Sequence, residues 1–367
     1  MSLGVLAWDH PRATLPLVAS SEAWQRLTGE PLAIKTRSLR SFGDDVPSAA
    51  GADLVLIDHP HIGRAARDGA ILALDDLLEL DELAALAADS AGASHASYGF
   101  AGRHWAVAVD ASCQAMAVRG FAGDGARLPL PEPATWDDVV ALARERPGRV
   151  ALPLTPAHAI SALLSLIAAR EPIADGATLA GSETLRWASR ALSSLAASGP
   201  PNAFDWEPPE VLDRLAAGEL VCVPLVYAYV GYDVAWRSAP RARPDGPPGS
   251  ILGGVGAAVL SGTADPAGAA RLAAWLGSPA VQLEFVRSAG GQPATRSAWA
   301  APGGDPLFAA VLPTLEASQV RPRDPWWPEF QRAAGEFLTG ALRERCEPPL
   351  MADEVARLYH DHREATS

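Results

Sequence analysis

Two short stretches carry the same chemistry-bearing tripeptide, Asp9-His10-Pro11 and Asp58-His59-Pro60, the second extended by His61. A carboxylate beside an imidazole is what proton transfer near neutral pH needs, because histidine titrates there and the carboxylate orients and charges its ring. The same donor types, His10, His59, His61, Asp9 and Asp58, suit zinc or iron if the two tips meet. Each histidine, however, precedes a proline or sits in a tight turn, and no His-x-x-x-His helix accompanies them, so no metal is expected. Asp-Pro tips also serve as plain strand terminators that cap the next helix. Cys113 is a candidate nucleophile, with His10, His59 or Asp233 as its base; a buried cysteine is more often inert packing. The aromatics Trp8, Trp105, Tyr227, Tyr229, Tyr232, Trp326 and Trp327 fall at strand ends or in loops. Such faces take sugars or heteroaromatic rings, with Asp, Arg and His on the polar edges. Trp326 and Trp327 also read as a core plug beneath the final helices.

The elements that must position these residues are legible from periodicity and punctuation. Val5–Ala7 reads as a strand, Leu15–Leu27 as a helix stopped at Gly29, Leu32–Thr36 and Leu54–Ile57 as strands. The segment 41–45 reads as a loop, Gly63–Gly69 as a short helix and Leu72–Leu86 as a surface helix. Tyr98–Asp110 reads as a hairpin leading into a long strand, followed by a Pro-rich loop at 128–133. Thr135 caps a helix whose first turn holds Asp137 and Asp138. Val150–Leu154 is a short strand, and 157–169 and 182–197 are helices. A helix from Pro208 ends at Gly218, and Glu219–Val226 is a strand. Ser250–Leu260 is a glycine-rich strand, and Asp265 with Pro266 opens another helix. Strands that alternate with helices define an α/β chain. In open parallel sheets, ligands bind beyond the carboxyl ends of the strands, where both Asp-His-Pro tips lie.

Composition narrows the function further. The chain has 367 residues, which suits about two domains, and 49% of them are hydrophobic, enough for a sizeable core. Its net charge is −13 and Lys35 is its only lysine, so it lacks the cationic stripe that phosphate backbones require; nucleic acid is excluded as a partner. Cys113, Cys222 and Cys346 have no disulfide or zinc spacing. No apolar run reaches the ~18 residues of a membrane span. Gly254-Val-Gly256 resembles a dinucleotide fingerprint, but no helix clearly follows it. Glycines that let a backbone approach closely beside a ligand are the better reading, and no cofactor is expected. Met1-Ser2-Leu3-Gly4 runs straight into the first strand without a basic start or an apolar leader. The sequence as it stands is therefore expected to be cytoplasmic, or periplasmic or extracellular if a signal peptide has been removed.

An ordered set of segments carries a family resemblance: Asp9-His-Pro-Arg12, Thr28-Gly-Glu-Pro31, Asp53–Asp58, Gly102–Asp110, Thr135–Val139, Ala217-Gly-Glu-Leu-Val221, Ala273–Gln282 and Gly291–Arg296. In this order the chain resembles the family 1 extracellular solute-binding proteins, the maltose-binding-like receptors of ABC transporters. The resemblance implies a two-lobed α/β periplasmic-binding-protein-like fold of type II, usually monomeric, with a ligand cleft between lobes joined by crossover strands. Lobe one would comprise 1–109 and 253–310, lobe two 110–252 and 311–367. Asp110 and Cys113 would lie at the cleft floor. One lobe would supply Trp8, Asp9, His10, Arg12, Asp58, His59, His61 and Gln292. The other would supply Tyr227 and Tyr229, with Trp206, Tyr229 or Trp327 stacking on a sugar.

Two functions of different class emerge. The first is a receptor that closes by hinge motion on a small polar ligand, a sugar or a small carboxylate or heterocycle, with an ABC permease as partner if the protein is exported. The second is a cytoplasmic lyase, transferase or hydrolase built on the same fold. Thiaminase I looks like such a receptor and is similar here in the placement of Cys113; Cys113 would attack while His59, His10 or Asp233 moves the proton.

Overall fold

The computed structural model of the chain describes residues 2–38, 41, 51–119, 130–132, 134–174 and 176–365. Of the expected loops, positions 42–45 and 128, 129 and 133 lie outside the described residues. The strands are β1 Leu3–Trp8, β2 Leu32–Arg37, β3 Leu54–Ile57, β4 Gly99–Phe100, β5 Arg103–His104, β6 Val107–Val118, β7 Cys222–Tyr227, β8 Ala235–Arg237 and β9 Leu252–Val259.

The chain separates into two compact units. The first holds Met1–Ser112, Gly253–Phe308 and Arg321–Pro325; the second holds Cys113–Leu252, Ala309–Val320 and Trp326–Ser367. Against the lobes expected from sequence, 110–112 and 321–325 fall in the first unit and 309–310 in the second. Specific bonds explain two of these shifts. Asp110 is paired with Arg12, the Ala111 N–H donates to the Gln292 carbonyl, and Arg321 is paired with Asp58.

In the first unit the sheet runs β2-β1-β3-β9, with β6 beside β9. β1 is parallel to both neighbours, and β3 pairs antiparallel with β9 from Leu54↔Val259 to Ile57↔Gly256. All four residues of β3 are buried, as a continuous apolar run predicts for a strand covered on both faces. Helix Pro11–Thr28 buries Ala13, Pro16, Leu17, Ser20 and Trp24, a helical-period stripe, and stops at Gly29 in the left-handed conformation (φ 78°). Each fully buried Leu or Val of this core contributes roughly 1.5–3 kcal/mol of transfer free energy.

The glycines of β9 answer a packing need. A Cβ at Gly256 would stand 2.6 Å from the Tyr98 ring, and one at Gly254 would stand 2.4 Å from the Asp110 carbonyl. The close approach is therefore to this chain's own backbone and ring. The surface helix expected over 72–86 is split into a 3-10 turn at Leu74–Asp76 and a helix at Leu80–Ala88. Its first residues are drawn to the sheet instead: Ile71 bridges Leu260, and the Leu72 N–H donates to the Val259 carbonyl.

In the second unit the far half of β6 pairs antiparallel with β7, from Gln114↔Tyr227 to Val118↔Cys222, and with β8. The strand expected at 150–154 reduces to a single bridge, Val150↔Cys222. Helix Pro156–Ala168 is buried from Ala159 onward. Helix Trp327–Arg343 lies against it where Gly335 leaves room, since a Cβ there would stand 2.3 Å from the Pro156 carbonyl. The Thr135 cap forms as expected, in a reciprocal capping box with Asp138.

Candidate functional site

The first tip hangs from the end of β1. His10 is the N-cap of helix Pro11–Thr28, and its Nδ1 accepts from the Arg12 N–H at 3.1 Å. That bond assigns the lone pair to Nδ1. Burial, followed by the Arg12 charge, lowers the His10 pKa, while Asp9 opposes the shift. Asp9 itself is exposed, and its N–H donates to the Arg37 carbonyl at 2.7 Å.

Arg12 turns inward and forks onto Asp110. Its Nε donates to Oδ2 at 2.8 Å and its terminal NH2 donates to Oδ1. Both side chains are only 8% exposed. Burial pushes the Asp110 carboxyl up, and the Arg12 guanidinium works in the opposite sense. Trp8, Arg12, Ser20 and Asp110 form the polar part of a pocket; the space free of protein atoms there is about 390 Å³, open solvent included. Apolar side chains of the same unit complete it, among them Leu17, Leu56, Val255 and Leu276.

The second tip has the same residue types and a different arrangement. Asp58 follows β3 and receives two hydrogen bonds from one Arg321 NH2, at 2.9 and 2.8 Å. His59 has no exposed surface. Its Nε2 accepts from the Arg321 N–H at 3.3 Å, so the proton belongs on Nδ1, which lies 3.2 Å from Asp58 Oδ1 but off the line of a full hydrogen bond. Burial first, then Arg321, lowers His59 to about 4. Asp58 is held well below the usual carboxylate range; burial resists this, but Arg321, His59 and His61 prevail. His61 is buried in the 3-10 turn His59–His61. The buried Tyr98 phenol feels the charges of both ion pairs; its pKa is raised by burial and then by Asp58 and Asp110.

Gln292 is fully buried; it donates to Ser112 Oγ at 3.2 Å, and its Oε1 is buried without a protein partner. Among the described residues, no group of three or more His, Cys, Asp or Glu is placed to hold a metal ion.

In the second unit Tyr227 ends β7, half-buried, with the His158 ring edge-on at 6.0 Å. His158 Nε2 lies 2.8 Å from Glu207 Oε2. Thr155, the N-cap of helix Pro156–Ala168, makes no capping bond, and its Oγ1 is buried without a protein partner. Tyr229 is buried and meets Tyr232 edge-on at 6.5 Å.

One expected role is corrected, and the surroundings of two others are defined. Trp327 is fully buried in an aromatic cluster with Trp326, Phe330 and Tyr359, so it is the core plug and offers no free face. One face of Trp206 is covered by the Arg214 guanidinium, 4.4 Å from the ring centre. The grouping of Cys113, His59 and Asp233 is not assembled within either unit. His59 belongs to the first, and in the second Cys113 is fully buried on β6 while Asp233 is exposed. Nothing among the described residues supports the enzyme reading.

Sequence reasoning missed Arg321, Tyr98, Thr155, His158 and Glu207. A charge set between Val320 and Pro322 was a usable signal for Arg321. Nothing in spacing couples His158 to Glu207, 49 positions away.

The comparisons with known proteins agree with this architecture. Residues 44–309 match the bacterial extracellular solute-binding protein family, and the chain belongs to it. A solute-binding protein of an ABC transporter from Agrobacterium radiobacter K84, in complex with ribitol, is 19% identical with a TM-score of 0.79, covering 98% of each chain. The maltose-bound MalE3 of T. maritima is 15% identical with a TM-score of 0.77, covering 97% of this chain and 98% of its own. A solute-binding protein from Agrobacterium vitis S4 with bound D-mannitol is 14% identical with a TM-score of 0.74, covering 100% of this chain and 99% of its own. No curated protein matches the chain by sequence. The fold is thus the α/β fold of the two-lobed periplasmic-binding-protein-like structures, and the protein is a solute-binding protein. No helix among the described residues is long and apolar enough to cross a membrane.

Proposed function

We propose that the protein binds a small neutral polyhydroxy solute, a sugar or a polyol, and delivers it to an ABC permease. One observation carries the choice of a neutral ligand. The two guanidiniums at the first unit's tips, Arg12 and Arg321, are each bonded to a carboxylate of the same unit, Asp110 and Asp58. A ligand carboxylate would have to break one of these pairs, and a buried charge left alone is costly. Hydroxyl groups, which donate and accept, ask for no such exchange.

The residues we assign to ligand contact are Trp8, Asp9, His10, Arg12, Asp110 and Gln292 on the first unit and Tyr227 and Tyr229 on the second. To the second-unit set we add His158, held by Glu207, and Thr155. The relatives bound to ribitol, maltose and D-mannitol agree with this ligand class. The family works outside the cytoplasm, and that compartment replaces the cytoplasmic expectation in this proposal.

Titration calorimetry of the purified chain against ribitol, D-mannitol and maltose, with citrate and putrescine as charged controls, tests the reading. Saturable binding of at least one neutral compound and none of the charged ones is expected. Binding confined to a charged compound overturns it.

A further inference from the structure

Residues Arg321–Pro325 belong to the first unit, although the chain on either side of them, Ala309–Val320 and Trp326–Ser367, belongs to the second. Several attachments hold them there. The Arg321 side chain is bonded to both oxygens of Asp58, and its main-chain N–H donates to His59 Nε2 at 3.3 Å. Arg323 donates through NH1 to the Ala96 carbonyl at 3.2 Å. The Arg323 carbonyl sits in a space that only glycine leaves open, since a Cβ on Gly63 would stand 1.7 Å from it. Pro322 and Pro325 fix their own φ angles and stiffen the segment.

We propose that Arg321–Pro325 is a strap clipped onto the first unit by the Asp58–His59 tip, and that acid opens the clip. The bonds require Asp58 ionised, Arg321 charged and His59 neutral with its lone pair on Nε2. The groups facing His59 are Asp58, Arg321 and Arg323, with Tyr98 edge-on at 6.4 Å. Those facing Asp58 are Arg321, His59 and His61, with Tyr98 and Asp110 also within its field.

Arginine stays charged throughout, and Asp58 is held ionised to more acid pH than an ordinary carboxylate, so of these three groups His59 is the first to change. A proton on Nε2 removes the acceptor for the Arg321 N–H and sets a cation against two guanidiniums. Burial and Arg321 delay that event to about pH 4, so the clip is closed at neutral pH. Both ends of the strap continue into the second unit.

Hydrogen exchange of the full chain, resolved to the Arg321 amide, tests the strap. At pH 7 this amide is protected in the wild type. Corrected for intrinsic rate, its protection falls by about tenfold or more on going to pH 4, while the amides of β1 stay protected. Asp58→Asn, which weakens the ion pair, and Gly63→Val, which pushes at the Arg323 carbonyl without touching a charge, each produce the same selective loss at pH 7. An Arg321 amide unprotected at pH 7 overturns the proposal. So does protection lost only together with that of β1, or retained at pH 4. If either variant does not fold, the wild-type pH series decides by itself.

Discussion

At Asp9-His10-Pro11 the histidine ring turns back onto the helix it precedes; at Asp58-His59-Pro60 the ring turns inward and holds a backbone amide 262 positions later. The carboxylates part in the same way. Asp9 is exposed, whereas Asp58 is bonded twice to Arg321. The element that each tripeptide opens decides the outcome. Pro11 opens a helix of 18 residues whose first amides need a cap, and His10 supplies it. Pro60 lies within a 3-10 turn, His59–His61, that runs into a six-residue helix, Ile62–Arg67; His59 stands inside the turn and not ahead of it, and pairs with a remote partner. A repeated motif therefore marks two strand ends without giving them one task.

The largest expected effect separates the carboxylates. Asp58→Asn removes one member of a buried pair and leaves the Arg321 guanidinium, 4% exposed, without its anion. Breaking such a pair costs about 3–5 kcal/mol. Equilibrium urea unfolding that follows the first unit checks it. A loss under about 1 kcal/mol would place this pair with ordinary surface bridges and erase the contrast between the tips.

The next effect is pH dependence. His59 is neutral in the fold, with its pKa down from 6.5 to about 4. The unfolded chain takes up a proton near pH 6.5 while the native chain does not. The contribution is thus complete above pH 6.5, shrinks as pH falls, and is gone by about pH 4. At 1.36 kcal/mol per pKa unit it amounts to about 3 kcal/mol. Asp58, also depressed, acts with the same sign at lower pH. Unfolding free energies measured from pH 7 to pH 4 should fall by at least this order, and the fall should shrink by about this amount in His59→Gln; the remainder belongs to the other depressed histidines, foremost His95, lowered to about 4 by burial and then by His104. An equal pH slope in that variant would move the sensitivity elsewhere, for example to His95 and His104, whose stacked rings lie 4.0 Å apart.

Local signals made much of the fold readable. The run Leu54–Ile57, the Gly29 stop, the Thr135 box and the Asp265 cap all appear where sequence puts them, because each depends on neighbours within one helical turn or one strand. The candidate site was readable only in part. The tips were found, since each is a local strand end. Their pairings were not, since Asp110, itself singled out from sequence, is 98 positions from Arg12, and Arg321 is 263 from Asp58. Trp327 misled for a related reason. A tryptophan beside prolines in a loop reads equally as a platform or as a core plug, and the packing of Phe330 and Tyr359 around it decides for the core.

A smaller effect tests the first tip as a cap. His10→Ala removes the acceptor of the Arg12 N–H, and loss of an N-cap costs about 1 kcal/mol. His10→Asn, which can accept the same bond, should recover most of it. Failure of that rescue would mean that the ring acts through packing and not through Nδ1.

The smallest expected effect on stability is also the one most informative about binding. Asp9 is exposed, and its hydrogen bond to the Arg37 carbonyl is made by its backbone N–H, which Asp9→Asn preserves. Stability should therefore change by no more than about 0.5 kcal/mol. A role at the ligand would show elsewhere. An ionised carboxylate that accepts from ligand hydroxyls makes bonds worth roughly 1.5–3 kcal/mol, and the amide replaces one acceptor oxygen by a donor. Calorimetry on Asp9→Asn with whichever neutral compound binds the wild type should show weakening of about tenfold or more at unchanged unfolding free energy. Unchanged affinity would remove Asp9 from the ligand set, and the contrast between the tips would then be between a helix cap and a clip, with neither carboxylate facing outward for a purpose.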